Sequence, residues 1–302
     1  MSEEASSASR RVGIALALLS AVGFSFKAVL VKLAYPYGVD AVTLLALRMG
    51  LSLPFFLALG LTDARRRTVP VDRRDRLRLV ALGFFGYYLA SLLDFLGLQH
   101  VSASLERIVL FSYPTLVVLL SAMLLGTPIT RRATAALALC TSGVALAFAH
   151  DARLLGPTPE LLLGVGLVLG SSVSYALYLV AHGEIVRRLG AACVSSAATS
   201  VAAGCVLAQF ALTRPWSALD LPAPVWGLAA AMALVSTVLP VWGTSEAIRR
   251  VGAGPVALVG TIGPVITIAL GSVVLGDRIG AEQVAGAALV VAGVVLVATR
   301  PG

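Results

Sequence analysis

The chain has 302 residues, of which 58% are apolar and 13% charged, and it carries a formal net charge of +8. Because a soluble domain is close to half apolar and about a quarter charged, this composition and a mean hydropathy of +0.94 indicate a polytopic membrane protein. The basic charge does not indicate a nucleic-acid-binding protein, since the arginines lie between the apolar runs and form no single basic face.

The first apolar run begins after Arg10 and Arg11 and continues to about Leu33. A secretory signal peptide has a shorter apolar region that ends at an A-x-A cleavage site, and this run lacks a clear site of that kind. We therefore interpret the run as a retained membrane span that follows a cytoplasmic tail of residues 1–11.

Ten apolar runs are long enough to cross a bilayer, which requires about 20 residues of helix. They lie at roughly residues 12–33, 41–61, 79–98, 103–125, 132–149, 161–182, 192–213, 224–247, 253–275 and 281–299, each boundary to within about 2–4 residues. Strands of a membrane barrel would instead alternate in runs of about 10 residues. The sequence therefore predicts an all-α polytopic membrane protein with ten transmembrane helices.

The basic residues predict the orientation of these spans, because cytoplasmic loops carry an excess of lysine and arginine. With the N-terminus inside, 16 of the 23 lysines and arginines lie at inner ends, Arg300 among them, and only four lie at outer ends. Those four are Lys32, Arg153, Arg214 and Arg278. We expect a multi-pass protein of the plasma (inner) membrane with both termini in the cytoplasm.

Residue pairs separated by a constant 150 positions indicate an internal repeat. Prolines and glycines carry the most weight among them, because they mark backbone geometry. The pairs include Val101 with Val251, Ala103 with Ala253, Pro114 with Pro264, Gly126 with Gly276 and Gly143 with Gly293. We predict two five-helix repeats, residues 12–150 and 151–302. Since five is an odd number, the second repeat must be inverted in the membrane, an arrangement that recurs in secondary transporters.

Five charged residues fall within the predicted spans, namely Lys27, Arg48, Asp94, Glu106 and Arg107. Each of them costs roughly 2.5–3.5 kcal/mol near the middle of a membrane helix on insertion scales. These side chains must therefore pair with one another, face a wet cavity or lie close to the interface. We treat all five as candidates for contact with a solute or for carrying a coupling proton.

The pairing of these charges follows only in part from the sequence. Asp94 and Glu106 flank the corner between the third and fourth spans, so we expect them at similar depth on neighbouring helices. Glu106 and Arg107 are adjacent and point about 100° apart, which disfavours a pair between them. Asp94 with Arg107 and Lys27 with Glu106 are the favoured pairs. The alternative to a functional cluster is a structural ion-pair network, or side chains that reach to the interface.

The two repeats differ in charge although their scaffold is the same. The 150-residue offset places uncharged residues opposite Asp94, Glu106 and Arg107; these are Thr244, Val256 and Ala257. The best register of the first span of each repeat places Tyr178 opposite Lys27. Because Tyr178 also shares a helix face with the polar residues Ser171, Ser174 and His182, we add it to the candidate site.

Pro114 and Pro264 occupy matching positions in the fourth and ninth spans. A proline in a membrane helix frees a carbonyl group that can bind a ligand or accommodate bending, so both are hinge candidates. The motif Gly166-xxx-Gly170 indicates close helix packing, either inside the bundle or in a homodimer.

The three cysteines, Cys140, Cys193 and Cys205, all lie in apolar segments. The chain contains no CxxC motif and no cluster of histidine and cysteine. We therefore expect neither a disulfide framework nor a metal site, and no cofactor.

Several of these residues resemble the drug/metabolite transporter superfamily in its EamA-like branch. They are Ser112-Tyr113-Pro114, Leu124-Leu125-Gly126 and Gly143 in the first half, Gly263-Pro264, Leu275-Gly276-Asp277 and Gly293 in the second, and Arg48 in the second span. Members often carry an acidic residue directly after this Leu-Gly; Asp277 matches that pattern and Thr127 departs from it. The resemblance covers nearly the whole chain and implies ten spans in two repeats, and transport of a metabolite, without naming the cargo.

These observations together predict a secondary transporter that moves a small organic metabolite by alternating access, with export favoured by analogy with the family. Its partners would be the solute, the lipid bilayer and a coupling proton. One alternative is a non-transporting membrane scaffold or sensor. The other is an intramembrane enzyme that acts on a lipid-linked substrate, which is disfavoured because the chain has no metal-ligand spacing and no Ser/His/Asp arrangement.

Overall fold

A computed structural model describes residues 2–66, 69–126 and 128–298 of the chain. Thr127 and Arg300, which entered the sequence argument, lie outside these ranges, as does the side chain of Ala257. In the described part the helices, in chain order, are α1 Ser2–Ala34, α2 Ala41–Arg66, α3 Arg73–Gly83, α4 Ala90–Gly97, α5 Ala103–Leu110, α6 Tyr113–Leu125, α7 Arg131–Leu155, α8 Pro159–Leu189, α9 Ala191–Thr213, α10 Ala223–Ala233, α11 Leu239–Val251, α12 Ala253–Gly260, α13 Gly263–Leu270 and α14 Ala281–Ala298.

Short π-helical segments join some of these helices into longer ones. Phe84–Leu89 connects α3 to α4, Leu234–Val238 connects α10 to α11, and Gly271–Leu275 continues α13. Over the described residues, nine helical segments are long and apolar enough to cross a membrane, and α14 supplies a shorter apolar one. The prediction of an all-α membrane protein with ten spans in two inverted repeats is confirmed.

The helices pack according to a pseudo-two-fold relation between the repeats. Two helices lie along their own counterparts, α7 along α14 and α2 along α9. The other contacts are crosswise: α1 packs against α11 and α13, and its counterpart α8 packs against α4 and α6. Every one of these contacts joins the first repeat to the second, so the two halves form one interleaved bundle.

The 150-residue offset also appears in the irregularities of the backbone. The π-helical segments Phe84–Leu89 and Leu234–Val238 begin 150 residues apart. The fourth and ninth spans are each interrupted just before Tyr113 and Gly263, which again differ by 150. Gly126 and Gly276 both adopt the left-handed conformation, with φ of 66° and 71°, which favours glycine because it has no β-carbon. The repeat is therefore present in local geometry as well as in topology.

Serines of α8 stabilise the first π-helical segment. Ser174 Oγ donates to the carbonyl of Phe85 and Ser171 Oγ to that of Ala90, each at 2.7 Å. A π-helical turn disturbs the regular i to i−4 ladder, and carbonyl groups at this depth need a partner from within the protein. The polar stripe on the sixth span therefore faces the bundle interior, where these two serines hold irregular backbone.

The seam between α7 and α14 is made of small residues. A β-carbon on Gly143 would lie 2.5 Å from the carbonyl oxygen of Gly286, and one on Gly293 would lie 2.8 Å from that of Ala136. Farther along, Gln283 of α14 donates to Asp151 of α7 at 2.9 Å. Because only glycine permits such close approach of two helix backbones, α7 and α14 form a tightly packed pair over most of their length.

Candidate functional site

Lys27 connects three helices at the centre of the predicted site. Its Nζ lies 2.5 Å from Asp94 Oδ2 and 3.0 Å from Glu106 Oε1, so that α1 reaches both α4 and α5. The carboxylates are almost fully buried, with 3% of Asp94 and 0% of Glu106 exposed. We call Lys27, Asp94 and Glu106 the Lys27 cluster. The expectation that the two carboxylates lie at similar depth is confirmed, because both contact the same nitrogen.

The corner between α4 and α5 brings the two carboxylates together. Helix α4 ends at Gly97, one turn after Asp94, and α5 begins at Ala103 with Glu106 in its first turn. The Ser102 hydroxyl caps α5 by accepting from Leu105 N at 3.0 Å. An acidic side chain in the first turn interacts favourably with the positive end of the helix dipole. The short corner therefore places Asp94 and Glu106 side by side, facing α1.

The Lys27 cluster has more acceptors than its single ammonium group can satisfy. Asp94 Oδ1 and Glu106 Oε2 are both buried and have no hydrogen-bond partner among the described residues. One ammonium group balances one carboxylate, and an unpaired buried carboxylate is strongly unfavourable. Charge balance at the cluster therefore depends on a proton or on the neighbouring guanidinium groups of Arg48 and Arg107, neither of which forms an ion pair with it in the described residues.

Arg48 lies beside the Lys27 cluster and joins the two repeats. Its Nε donates to Thr237 Oγ1 at 2.9 Å, and its Cζ lies 5.4 Å from the centre of the Phe95 ring. Only 8% of Arg48 is exposed, and its Nη1 has no hydrogen-bond partner in the described part of the chain. Thr237 belongs to the second π-helical segment. Arg48 thus presents a free donor from a position fixed by the opposite repeat.

Arg107 points toward the ninth span. Its Cζ lies 5.8 Å from the centre of the Phe111 ring, and its Nη2 would lie 2.7 Å from a β-carbon on Gly263. The described residues include no ion pair between Arg107 and Asp94, so of the two favoured pairs only Lys27 with Glu106 is formed. Arg107 Nε has no hydrogen-bond partner there either. Arg107 therefore places its charge at the interruption between α12 and α13.

Tyr178 lies in a row of aromatic rings and makes no hydrogen bond or ion pair, within the described residues, to the Lys27 cluster. Its hydroxyl is 3.5 Å from that of Tyr87, and its ring is stacked on Tyr175 with the centres 5.6 Å apart. Tyr175 in turn contacts Tyr113 at 5.1 Å. Gly86 leaves room for Tyr178, because a β-carbon there would overlap its ring. This row joins residues of the third, fourth and sixth spans.

Pro114 and Pro264 are each the second residue of a helix that restarts after an interruption, α6 and α13. The second interruption is tied to α1: Ser25 Oγ donates to the Gly263 carbonyl at 3.2 Å, and Thr267 Oγ1 donates to the Ser25 carbonyl at 3.3 Å. Ser25 precedes Lys27 by two residues. The positions of Pro114 and Pro264, each at the start of a restarted helix, suit the predicted hinges.

Two contributors to the site were absent from the sequence prediction, Thr237 and Ser25. The 150-residue offset pairs Thr237 with Tyr87 in the sequence, but the π-helical segment that gives the position its role is seen only in the structure. Ser25 has no signal in the sequence, since a serine in an apolar span usually bonds to its own helix, as Ser25 also does to Ala21. The described residues contain no group of three or more histidine, cysteine, aspartate or glutamate side chains that could hold a metal ion.

Comparison with known proteins identifies a transporter family and related transporters. The model of the EamA-like transporter family matches this chain twice, over residues 11–149 and 162–299. An uncharacterized transporter of Bacillus subtilis (strain 168), YcbK, is 31% identical over 284 residues, which is 91% of this chain and 88% of that protein. A second one from the same organism, YyaM, is 26% identical over 224 residues, covering 74% of this chain and 73% of its own length.

A solved crystal structure of another protein has the same fold. It superposes with a TM-score of 0.63 at 20% sequence identity and covers 94% of this chain and 95% of its own. At that level of identity the likeness concerns the fold alone.

Proposed function

Because this chain belongs to the EamA-like transporter family, we propose that it is a secondary transporter of a small organic solute and that the Lys27 cluster, with Arg48 and Arg107, forms its solute and coupling site. The observation that carries this proposal is the burial of the cluster. An ammonium group and two carboxylates meet inside the bundle, and four polar atoms of the five charged residues are left without a partner in the described structure.

The energetic argument favours a functional cluster. Charged groups inside a membrane protein cost roughly 2.5–3.5 kcal/mol each on insertion scales, and a structural network would be expected to satisfy its own hydrogen bonds. Here Asp94 Oδ1 and Glu106 Oε2 offer acceptors, while Arg48 Nη1 and Arg107 Nε offer donors. Free groups of both kinds suit a solute that brings its own charges.

The distribution of these groups indicates the chemical class of the solute. Three cationic side chains against two carboxylates leave one positive charge in excess, which suits an anion. The separate free acceptors also suit a zwitterion, whose cationic group would face Asp94 and Glu106 while its anionic group faces Arg48. The aromatic row at Tyr178 would then border the same interior space through Tyr113 and Tyr175.

The inverted repeats supply a mechanism. Two similar halves can exchange conformations and expose one midplane site to either side of the membrane in turn. The interruptions before Pro114 and Pro264 are where the spans can bend. Since Ser25 and Arg107 both reach Gly263, bending of the ninth span would be transmitted to the Lys27 cluster.

The membrane orientation belongs to the same proposal. The excess of arginine at one set of helix ends supports an orientation with both termini in the cytoplasm, in a plasma membrane. Outward movement of the solute follows only from the family resemblance.

Transport into proteoliposomes tests the proposal. Purified protein is reconstituted and offered a panel of labelled anionic and zwitterionic metabolites, for uptake and counterflow, with and without an inward proton gradient. We expect at least one solute to move through the parent protein. The Lys27→Ala/Glu106→Gln double variant should lose that movement.

A matched control separates the site from general charge effects. Arg249→Gln/Glu246→Gln also removes one positive and one negative charge, but Glu246 pairs with Arg249 and Arg250 at the end of its own helix α11. This variant should transport like the parent. If the Lys27→Ala/Glu106→Gln variant keeps full transport, the cluster is not the site. If the parent moves no solute from a broad panel, the scaffold alternative is favoured.

A further inference from the structure

A second polar group lies between the Lys27 cluster and the predicted outer surface. Along α1, Lys32 follows Lys27 by five residues, a rise of about 7.5 Å. Along α4, Leu98 follows Asp94 by four residues, and Lys32 Nζ donates to the Leu98 carbonyl at 3.1 Å. The two groups are thus stacked along the same two helices, with the Lys32 level nearer the outer end.

The ninth span contributes Asp277 to this outer level. Its backbone N–H donates to the Gly271 carbonyl at 3.2 Å, and the left-handed Gly276 turns the chain back at this point. A β-carbon on Gly271 would lie 2.9 Å from Asp277 Oδ2 and 3.3 Å from Ser104 Oγ. Asp277 and Ser104 therefore flank the same glycine, one from each repeat.

Neither oxygen of this pair is satisfied. Ser104 is fully buried with 0% exposure, and its Oγ has no hydrogen-bond partner in the described chain; the same holds for Asp277 Oδ2. A hydroxyl can donate to an ionised carboxylate and can accept from a protonated carboxyl group. The two oxygens do not hydrogen-bond to each other in this structure. A reorientation of the Ser104 hydroxyl toward Asp277 would let it serve the carboxyl group in either protonation state.

We propose that Asp277, next to the buried hydroxyl of Ser104, is a protonation site on the outer side of the Lys27 cluster, where the charges of Lys32 and Asp151 act on it. A role for this proton in coupling rests on the proposed transport function; the protonation of Asp277 itself does not.

Two charged side chains, from two helices, act on Asp277. Lys32 approaches from α1. Asp151 approaches from α7, where it accepts from Gln283 Nε2 at 2.9 Å and from Ser102 N at 3.2 Å. Helices α7 and α14 are also joined by a separate ion-pair group, in which His150 lies 3.5 Å from Glu282 and Arg153 pairs with Glu282.

These neighbours act on the protonation of Asp277 in opposite directions. Burial raises the pKa of Asp277 above its ordinary value, the positive charge of Lys32 opposes that shift, and the negative charge of Asp151 adds to it. Removing Lys32 should therefore raise the pKa further, and removing the charge of Asp151 should lower it. Opposite shifts of the Asp277 pKa in these two cases would show that the neighbouring charges act on it in addition to burial.

The test is infrared difference spectroscopy of the purified full-length protein in lipid nanodiscs, titrated from about pH 9 to about pH 4, a range that covers raised carboxyl pKa values. The carbonyl band of protonated carboxylic acids is followed for the parent and for Asp277→Asn. We expect the variant to lose one component of that band. Asp220→Asn, an exposed aspartate in the described chain, is the control and should keep that component.

Three further variants test the effect of the neighbouring residues on Asp277. Lys32→Met should move the midpoint of the Asp277 component to higher pH, and Asp151→Asn should move it to lower pH. Ser104→Ala should shift the midpoint as well, while the melting temperature shows that each variant is folded. An Asp277→Asn spectrum identical to that of the parent overturns the proposal. Equal midpoints for Lys32→Met and the parent would show that the charge of Lys32 does not act on Asp277.

The spectroscopic result needs no solute and is therefore independent of the transport assay. Where a solute has been found, Asp277→Asn should retain counterflow but lose accumulation driven by the proton gradient. A protein that titrates as described but moves no solute would contradict the proposed function and leave the protonation site established. Unchanged gradient-driven accumulation in Asp277→Asn would remove Asp277 from the coupling path.

Discussion

Arg48 in the first repeat donates a hydrogen bond of 2.9 Å to Thr237 in the second. Thr237, in the second π-helical segment, itself donates to the carbonyl of Met232 in the preceding helix α10 at 2.9 Å. The Thr237 hydroxyl thus accepts a hydrogen bond from the buried Arg48 and donates one to a backbone carbonyl at the irregular turn. The position of one charged residue of the candidate site is consequently set by the opposite repeat.

This relationship predicts the effect of Thr237→Val. The substitution keeps the shape of the side chain but leaves Arg48 Nε buried without a partner, which should lower stability by about 1–3 kcal/mol. Thermal unfolding of the purified protein measures the loss. Thr237→Ser retains the hydroxyl and should unfold close to the parent temperature; if both variants unfold at the same lowered temperature, the hydrogen bond is not the cause.

The Lys27 cluster predicts that charge balance matters more than the ion pairs themselves. Lys27→Met leaves two carboxylates buried without their cation and should destabilise the protein by about 3–5 kcal/mol. Neutralising all three residues together, as Lys27→Met/Asp94→Asn/Glu106→Gln, should recover most of that loss, because neutral replacements need no partner charge. A triple variant that melts no higher than Lys27→Met would contradict this account.

The seam between α7 and α14 predicts a strong effect of side-chain volume. Gly286→Val would drive a side chain into the Gly143 carbonyl region and should lower stability by about 1–3 kcal/mol. Gly166→Val is the matched control, because it has the same helical propensity change but no described atom within 4 Å of the new β-carbon. Melting temperatures of the two variants separate packing from propensity; equal losses would argue against close packing at the seam.

Removal of the α8 serines Ser171 and Ser174 should loosen the backbone locally, around the first π-helical segment. In Ser171→Ala/Ser174→Ala the Ala90 and Phe85 carbonyls each lose a donor, at a cost of about 1 kcal/mol per bond. Hydrogen exchange measured by mass spectrometry should show faster exchange in peptides that cover residues 84–94. Ser245→Ala, whose hydroxyl bonds only within its own helix at 2.9 Å, should leave those peptides unchanged.

The spans and their two repeats could be predicted from the sequence because their determinants are local. Span length follows from about 20 apolar residues, and the matching prolines and glycines mark the same backbone geometry twice. The interruptions before Tyr113 and Gly263 agree with that register. The π-helical segments were not predictable, since FFGYYL and LVSTV share no residue type that signals such a turn.

The contacts of the site depended on helix rotation, which periodicity does not determine. The depth of Asp94 and Glu106 was predictable from their distance to one corner, and their shared contact with Lys27 agrees with it. Arg107 instead turns toward Gly263, where the absence of a β-carbon leaves room for the guanidinium group. Tyr178 corresponds to Lys27 in the repeat, but it packs with aromatic residues because the second repeat offers it no carboxylates.

The packing of the first repeat on the second, of α1 on α11 and α13 and of α7 on α14, has a consequence for biogenesis. Helices that leave the ribosome first cannot complete their contacts until the last ones are synthesised. During that interval Arg48 lacks Thr237 and the glycine face of α7 is bare. The insertion machinery must therefore retain the first five helices until the second five arrive, and a chain truncated after the first repeat should be a substrate for quality-control proteolysis.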